Sequence, residues 1–196
     1  MEENMIITIS RQYGSGGSQV AKILAERMGV WCYDRDILTI AAERIGNEEL
    51  TEDTINDLNY KRNDVASAGI TGVMGMGNIP IYNQMFLEQA KIIRKLANYG
   101  SAVFLGRCAD YILKDIKNCT SVYLYADREF RKNRVKEIYG SNAEIMDKEE
   151  KNRADYYNYY TGNRWVDINT SKVSFEEAAD LIYRFAKDKQ KNLKDR

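Results

Sequence analysis

The 196-residue chain carries 29 Lys and Arg against 29 Asp and Glu, so it has no net positive field that would attract nucleic acid. It contains no histidine, which excludes His-based triads, His general bases and the commonest transition-metal sites. Its apolar runs fall well short of the ~20 residues that span a bilayer, and residues 1–5 hold two glutamates and no basic stretch, so we expect a cytoplasmic protein with no membrane partner.

The chain opens with the pattern of a strand, a turn and a helix. The run 5–9 is short, apolar and β-branched, which predicts a strand buried on both faces of a parallel sheet. A glycine-rich turn follows, and apolar residues then recur at helical spacing up to Gly29, which can end the helix. The run 30–33 predicts a second strand, after which Asp34 or Asp36 can cap another helix.

The segment 47–80 departs from this alternation. Four glycines between residues 69 and 77 make a fixed conformation costly. We interpret the segment as a mobile insert that binds the acceptor substrate, with a disordered linker of no functional weight as the alternative.

Regular alternation returns after residue 80. Strands are predicted at 102–105, 122–125 and, more weakly, 166–169. Helices are predicted at 82–98, 129–139, 147–160 and 175–187, and the basic tail beyond 187 is interpreted as a fraying end. Strands that alternate with helices indicate a parallel sheet covered on both sides, whose ligands bind at the carboxyl ends of the strands.

The loop after the first strand has the composition of a phosphate cradle. Glycines let backbone N–H groups turn inward around a phosphate, and the following helix N-terminus adds positive field at the same point. An ordinary tight turn is the alternative. The predicted phosphate-binding residues are Gly14, Ser15, Gly16, Gly17, Ser18 and Gln19.

The segments 7–17, 33–35, 104–113, 152–157 and 168–171 together resemble the cytidylate kinase-like family of P-loop nucleoside monophosphate kinases. The resemblance spans nearly the whole chain and implies a single P-loop kinase-like domain over 1–196. It implies an α/β three-layer sandwich with a five-stranded parallel sheet. It also implies ATP and Mg²⁺ as cofactors, nucleotides as partners, and phosphoryl transfer to a pyrimidine nucleoside monophosphate such as CMP. The oligomeric state is left open.

One departure from the P-loop pattern concerns its cation. Gly17 stands where the pattern has lysine, and Arg11 stands where it has its first glycine, while Ser18 keeps the hydroxyl that often meets magnesium. We hypothesise that Arg11 replaces the lysine as a catalytic cation, since its guanidinium can fork onto two phosphate oxygens. The alternatives are an inactive nucleotide sensor and a kinase for a different small acceptor.

The resemblance also implies residues that bind the acceptor. Arg107 matches the family's contact to the monophosphate, although an ion pair with Asp110 is an alternative. Asp34 resembles an acidic residue near the acceptor, or is a helix cap. Glu150 and Arg153 are spaced to share a helical face and would select cytosine and bind the acceptor phosphate, unless they form a plain surface ion pair.

A lid is expected over residues 128–160. Arg131 and Arg134 share a helical face in the position of the lid arginines of related kinases, which close over the triphosphate. A charged outer face without a catalytic role is the alternative.

Overall fold

The computed structural model describes residues 4–34, 37, 39–40, 81–140 and 166–195. Its five strands are β1 (Ile6–Arg11), β2 (Trp31–Tyr33), β3 (Ala102–Leu105), β4 (Cys119–Tyr125) and β5 (Val166–Asn169). They form one sheet in the order β2-β3-β1-β4-β5, and every pairing is parallel. The five-stranded parallel sheet expected from the sequence is therefore confirmed.

Helices connect the strands. The longer ones are α1 (Gly17–Met28), α2 (Ile81–Tyr99), α4 (Arg128–Tyr139) and α5 (Phe175–Lys194), and α3 (Ala109–Ile112) is a single turn. Gly29 ends α1 in the left-handed conformation, as the sequence predicted.

The core lies in two layers, one on each face of the sheet. Ile7 of β1 packs in a cluster with α1 and α5, which contribute Leu24 and Ile182. The neighbouring Ile6 points to the other face, where it meets Ile93 of α2. Because successive side chains of a strand alternate between faces, an uninterrupted apolar strand joins both layers into a three-layer sandwich.

The C-terminal end differs from the prediction of a fraying tail beyond residue 187, which is wrong for the described residues. Helix α5 continues to Lys194, and the Lys189 ammonium donates to the Cys119 carbonyl at 2.5 Å. The helix begins at a capping box, in which Ser174 and Glu177 each accept from the other's backbone N–H. Burial raises the pKa of the Cys119 thiol to about 11, so this buried cysteine stays protonated.

Several predicted features lie outside the described residues. These are the insert 47–80, the helix 147–160 and the part of the predicted lid that follows residue 140. In the part of the chain that is described, no helix has the length and apolar character needed to cross a bilayer.

Candidate nucleotide-binding site

The candidate site lies where the central strand ends. Strand β1 is flanked by β3 and β4, so the loops that follow these three strands meet at one edge of the sheet. In open parallel sheets this edge, beside the central strands, is where ligands bind.

The glycine-rich loop forms a bend directly ahead of α1. Gly16 precedes the helix with φ +83°, and no side chain caps the first turn. The N–H groups of Ser15 and Gln19 donate to the carbonyls of Gln12 and Gly16, at 3.3 and 3.0 Å. Those of Gly14, Gly16, Gly17 and Ser18 donate to no protein acceptor among the described residues. The bend therefore offers four of the six predicted N–H groups, at a helix N-terminus that favours anions.

Three bonds tie this bend to the neighbouring elements. The Gln12 side-chain oxygen accepts from the Ala126 N–H at 3.1 Å, just beyond β4. Arg131 of α4 donates to the Tyr13 carbonyl at 3.4 Å. Thr170, which follows β5, donates its hydroxyl to the Ser15 carbonyl at 2.7 Å. The loop is thus held in shape by residues on the β4 and β5 side of the sheet. The sequence of the loop itself does not indicate these partners.

Replacing Thr170 by valine is expected to destabilise the protein by about 1–2 kcal/mol, because the buried Ser15 carbonyl loses its donor. ATP affinity should fall as well, since Ser15 lies in the bend. Thr8→Val is the matched control: Thr8 is equally buried, but its hydroxyl bonds Ser121 within the sheet. Urea unfolding and ATP titration of both variants check this. Equal loss of ATP affinity in the two would contradict the anchoring role.

Two glycines of the bend are closely packed on the same side. A Cβ on Gly14 would lie 2.9 Å from the Arg131 carbonyl and from a Val135 methyl carbon. A Cβ on Gly16 would lie 2.4 Å from two ring atoms of Phe175. Helices α4 and α5 therefore approach the loop so closely that only glycine fits at these two positions.

The bend opens on a cleft that is open to solvent. Its walls include the loop residues 16–19 together with the side chains of Arg11 and Arg134. Ser18 is exposed here, and its hydroxyl oxygen is a ligand type suited to Mg²⁺. Among the described residues, His, Cys, Asp and Glu form no cluster of three that could hold a metal.

The two predicted lid arginines occupy different positions. The Arg134 guanidinium lies 4.6 Å above the Phe175 ring centroid and borders the cleft. Arg131 is buried and donates from Nε to the Ala126 carbonyl at 3.0 Å as well as to Tyr13. The geometry thus gives Arg131 a positioning role beneath the loop, and a contact to the phosphates stays a prediction.

Arg107, a residue predicted to bind the acceptor, lies just beyond β3. Gly106, Arg107 and Cys108 are consecutive residues with positive φ, at +71°, +59° and +53°. Such a run is uncommon for residues other than glycine and marks a tightly constrained turn. Asp34, after β2, lies at the same edge, 3.8 Å from the Arg11 guanidinium. Glu150 and Arg153 lie outside the described residues.

A polar network beside the site had no counterpart in the sequence predictions. Asp127 accepts from the Asn169 side-chain amide at 3.3 Å, and Lys172 lies 3.5 Å from its other oxygen. The hydrogen bonds from Asn169 and Ser171 hold the pKa of the Asp127 carboxyl below its ordinary value. The network joins the ends of β4 and β5, next to Thr170. The match of 168–171 to a family motif was the only signal for it.

The fold and site together define a P-loop kinase-type protein: an all-parallel sheet in this strand order, with a glycine-rich bend at the N-terminus of the first helix and arginines around it. The model of the cytidylate kinase-like family matches residues 6–191, so the chain belongs to that family. Membership supports nucleotide-dependent phosphoryl transfer as its general activity. No curated protein matches the chain.

Solved structures show the same fold. An uncharacterized protein from Eubacterium ventriosum is 28% identical, with a TM-score of 0.65, over 93% of this chain and 98% of that one. A gluconokinase from Sinorhizobium meliloti is 16% identical, with a TM-score of 0.53, over 98% and 95%. A deoxyadenosine kinase from M. mycoides, with dCMP and dCDP bound as products, is 12% identical, with a TM-score of 0.50, over 94% and 100%.

Proposed function

We propose that the protein is a cytoplasmic enzyme that transfers the γ-phosphoryl group of ATP to a pyrimidine nucleoside monophosphate such as CMP. The observation that carries this proposal is the bend ahead of α1, whose N–H groups at Gly14, Gly16, Gly17 and Ser18 face no protein acceptor among the described residues. The bend borders a cleft with two arginines, in a chain of the cytidylate kinase-like family.

The donor half of the site is built by the bend and Arg134. The N–H groups and the α1 N-terminus would bind the phosphates of ATP, and the Arg134 guanidinium adds a fixed positive charge beside them. The Ser18 hydroxyl would hold Mg²⁺, which neutralises phosphate charge when it is bound with the nucleotide.

The acceptor half is assigned to the turns after β2 and β3. Asp34 and Arg107 follow these two neighbouring strands, so both lie at the edge where an acceptor can face the donor. The roles of Glu150 and Arg153 in selecting cytosine and binding its phosphate rest on the resemblance to the family. The deoxyadenosine kinase of similar fold has dCMP and dCDP bound as products, which supports the choice of a pyrimidine nucleotide here.

In the proposed reaction an oxygen of the acceptor phosphate forms a bond to the γ-phosphorus of ATP. The bond from that phosphorus to the β–γ bridging oxygen breaks, and ADP leaves with the electron pair. Products are ADP and a nucleoside diphosphate. This transfer needs no protein nucleophile or histidine base, and catalysis comes from positioning and from fixed positive charge.

Incubating the purified chain with ATP, Mg²⁺ and a panel of CMP, dCMP, UMP and AMP tests the proposal. ADP release is followed by a coupled assay, and the diphosphate product is identified by chromatography. We expect the highest kcat/KM with CMP or dCMP. ADP release that no monophosphate raises above the ATP-only rate would contradict the proposal.

Gly17 in place of the P-loop lysine favours one alternative, a nucleotide sensor without turnover. Calorimetric titration would then show ATP binding while the coupled assay shows no ADP. A kinase for a different small acceptor would instead release ADP only with a non-nucleotide, for which gluconate is a suitable probe.

A further inference from the structure

Arg11 is packed so tightly against Gly17 that the two positions constrain each other. A Cβ built on Gly17 would lie 2.7 Å from Cγ and 2.9 Å from Cβ of Arg11. These atoms sit next to the backbone of β1, so they cannot swing away as the end of a long side chain would. Gly17 is also the first residue of α1 and does not have a positive φ. Its backbone conformation would therefore accept residues other than glycine. Glycine is required at position 17 because the Cβ and Cγ atoms of Arg11, its side-chain stem, lie so close.

The same pair marks the two departures from the P-loop pattern. That pattern places glycine at position 11 and lysine at position 17, and the lysine reaches the β- and γ-phosphates. In this chain the first side-chain carbon of such a lysine would overlap the Arg11 stem. One long cationic side chain fits at this point of the loop, and it can start from either residue but not from both.

The guanidinium of Arg11 lies in a different place from its Cβ and Cγ atoms, which contact Gly17. Its Nη1 lies against Gly106, where a Cβ would come within 2.0 Å of it, and its Nη2 lies 3.8 Å from Asp34. Gly106 follows β3 and Asp34 follows β2, the strands on the acceptor side of β1. The side chain therefore starts at the donor loop and carries its guanidinium toward the acceptor half.

We propose that Arg11 and Gly17 are a reciprocal exchange. The Arg11 side chain takes the space of the P-loop lysine and places its charge between the γ-phosphate of the donor and the phosphate of the acceptor. The catalytic half of this inference rests on the proposed phosphoryl transfer, whereas the exchange of space does not. During that transfer, the fork of Arg11 would stabilise the charge on the oxygens of the migrating group.

A thermal-unfolding cycle tests the exchange of space. Gly17→Ala should lower the Tm by about 5 °C in the native background, since the new methyl overlaps the Arg11 stem. In the Arg11→Gly background it should not lower the Tm, because alanine is the better helix former. Arg11→Met keeps Cβ and Cγ, so there the lowering should persist. Arg11→Ala, which keeps only Cβ, should give an intermediate value and serves if Arg11→Gly does not fold. Equal lowering in all backgrounds would overturn the exchange.

Kinetics test the position of the charge. Arg11→Met should lower kcat/KM for the acceptor by about 100-fold while the protein stays folded. Arg11→Gly combined with Gly17→Lys should regain at least about tenfold over Arg11→Gly alone, because the pattern's own cation is restored. A folded double variant that is no more active than Arg11→Gly would overturn the catalytic half.

Binding separates this inference from the proposed function. If the native chain transfers phosphate to none of the acceptors, the thermal cycle still decides the exchange of space. Calorimetry then reads the charge: Arg11→Met should weaken ATP binding by about tenfold and leave ADP binding nearly unchanged, since only ATP carries a γ-phosphate. Equal weakening for both nucleotides would place the charge elsewhere.

Discussion

Replacing Gly16 by alanine is expected to lower the free energy of unfolding by about 2–5 kcal/mol and to abolish ATP binding. The new Cβ would lie 2.4 Å from Cε1 and Cζ of Phe175, well inside any real carbon contact. Gly16 also has φ +83°, a conformation that costs an L-residue roughly 1–2 kcal/mol, and overpacking adds about 1–3 kcal/mol. Relief of either strain moves the N–H groups that form the bend. Urea unfolding and calorimetric titration with ATP measure both effects.

Gly29 provides the matched control for Gly16. It also has a positive φ, at +64°, but a Cβ there would meet nothing within 4 Å. Gly29→Ala should therefore show the backbone cost alone and keep native ATP affinity. Adding Phe175→Ala to Gly16→Ala should recover part of the lost stability, because the ring is the clashing group. If Gly16→Ala and Gly29→Ala were equally stable and bound ATP equally well, the packing of Phe175 would have no role at the loop.

The central strands β1 and β3 were predictable because they are buried on both faces. The runs 6–9 and 102–105 are apolar or β-branched, and the structure places strands there. The edge strand at 166–169 instead alternates Val and Ile with Asp and Asn. Strand β4 begins earlier than predicted, at Cys119, since Cys119 and Thr120 are buried through pairing with Ile6 and Ile7 of β1. Polar residues such as Thr120 carry no periodic apolar signal, so the local sequence pattern alone places the start of β4 too late in the chain.

The bend of the loop was likewise predictable, because glycine spacing between a strand and a helix is a local property. The groups that hold the bend are distant in sequence and polar. Thr170 lies 155 positions from Ser15, whose carbonyl it bonds, and Arg131 lies 118 positions from Tyr13. A buried arginine and a solvated lid arginine have the same residue type and helical spacing. Only the packing of α4 against the loop distinguishes them.

That distinction leads to a second large effect. Arg131→Met is expected to lower the free energy of unfolding by about 2–5 kcal/mol, since the buried carbonyl of Ala126 and the partly buried carbonyl of Tyr13 each lose a charged donor. Methionine fills much of the same volume, so little of this loss comes from a cavity. ATP affinity should fall together with stability, because Tyr13 and Gly14 lie directly on Arg131. Urea unfolding and ATP titration measure the two quantities.

Lys136→Met is the control for Arg131→Met, because it removes the same charge from an exposed position of α4 and should change stability by less than about 0.5 kcal/mol. The outcome also decides between two roles for Arg131. If Arg131 touched only the phosphates, its replacement would lower kcat and leave the protein's free energy of unfolding unchanged. If Arg131 anchors the loop, its replacement destabilises the protein even without nucleotide, since both of its hydrogen-bond acceptors belong to the protein. An Arg131→Met variant with native stability and a lowered kcat would therefore indicate that Arg131 is a lid arginine.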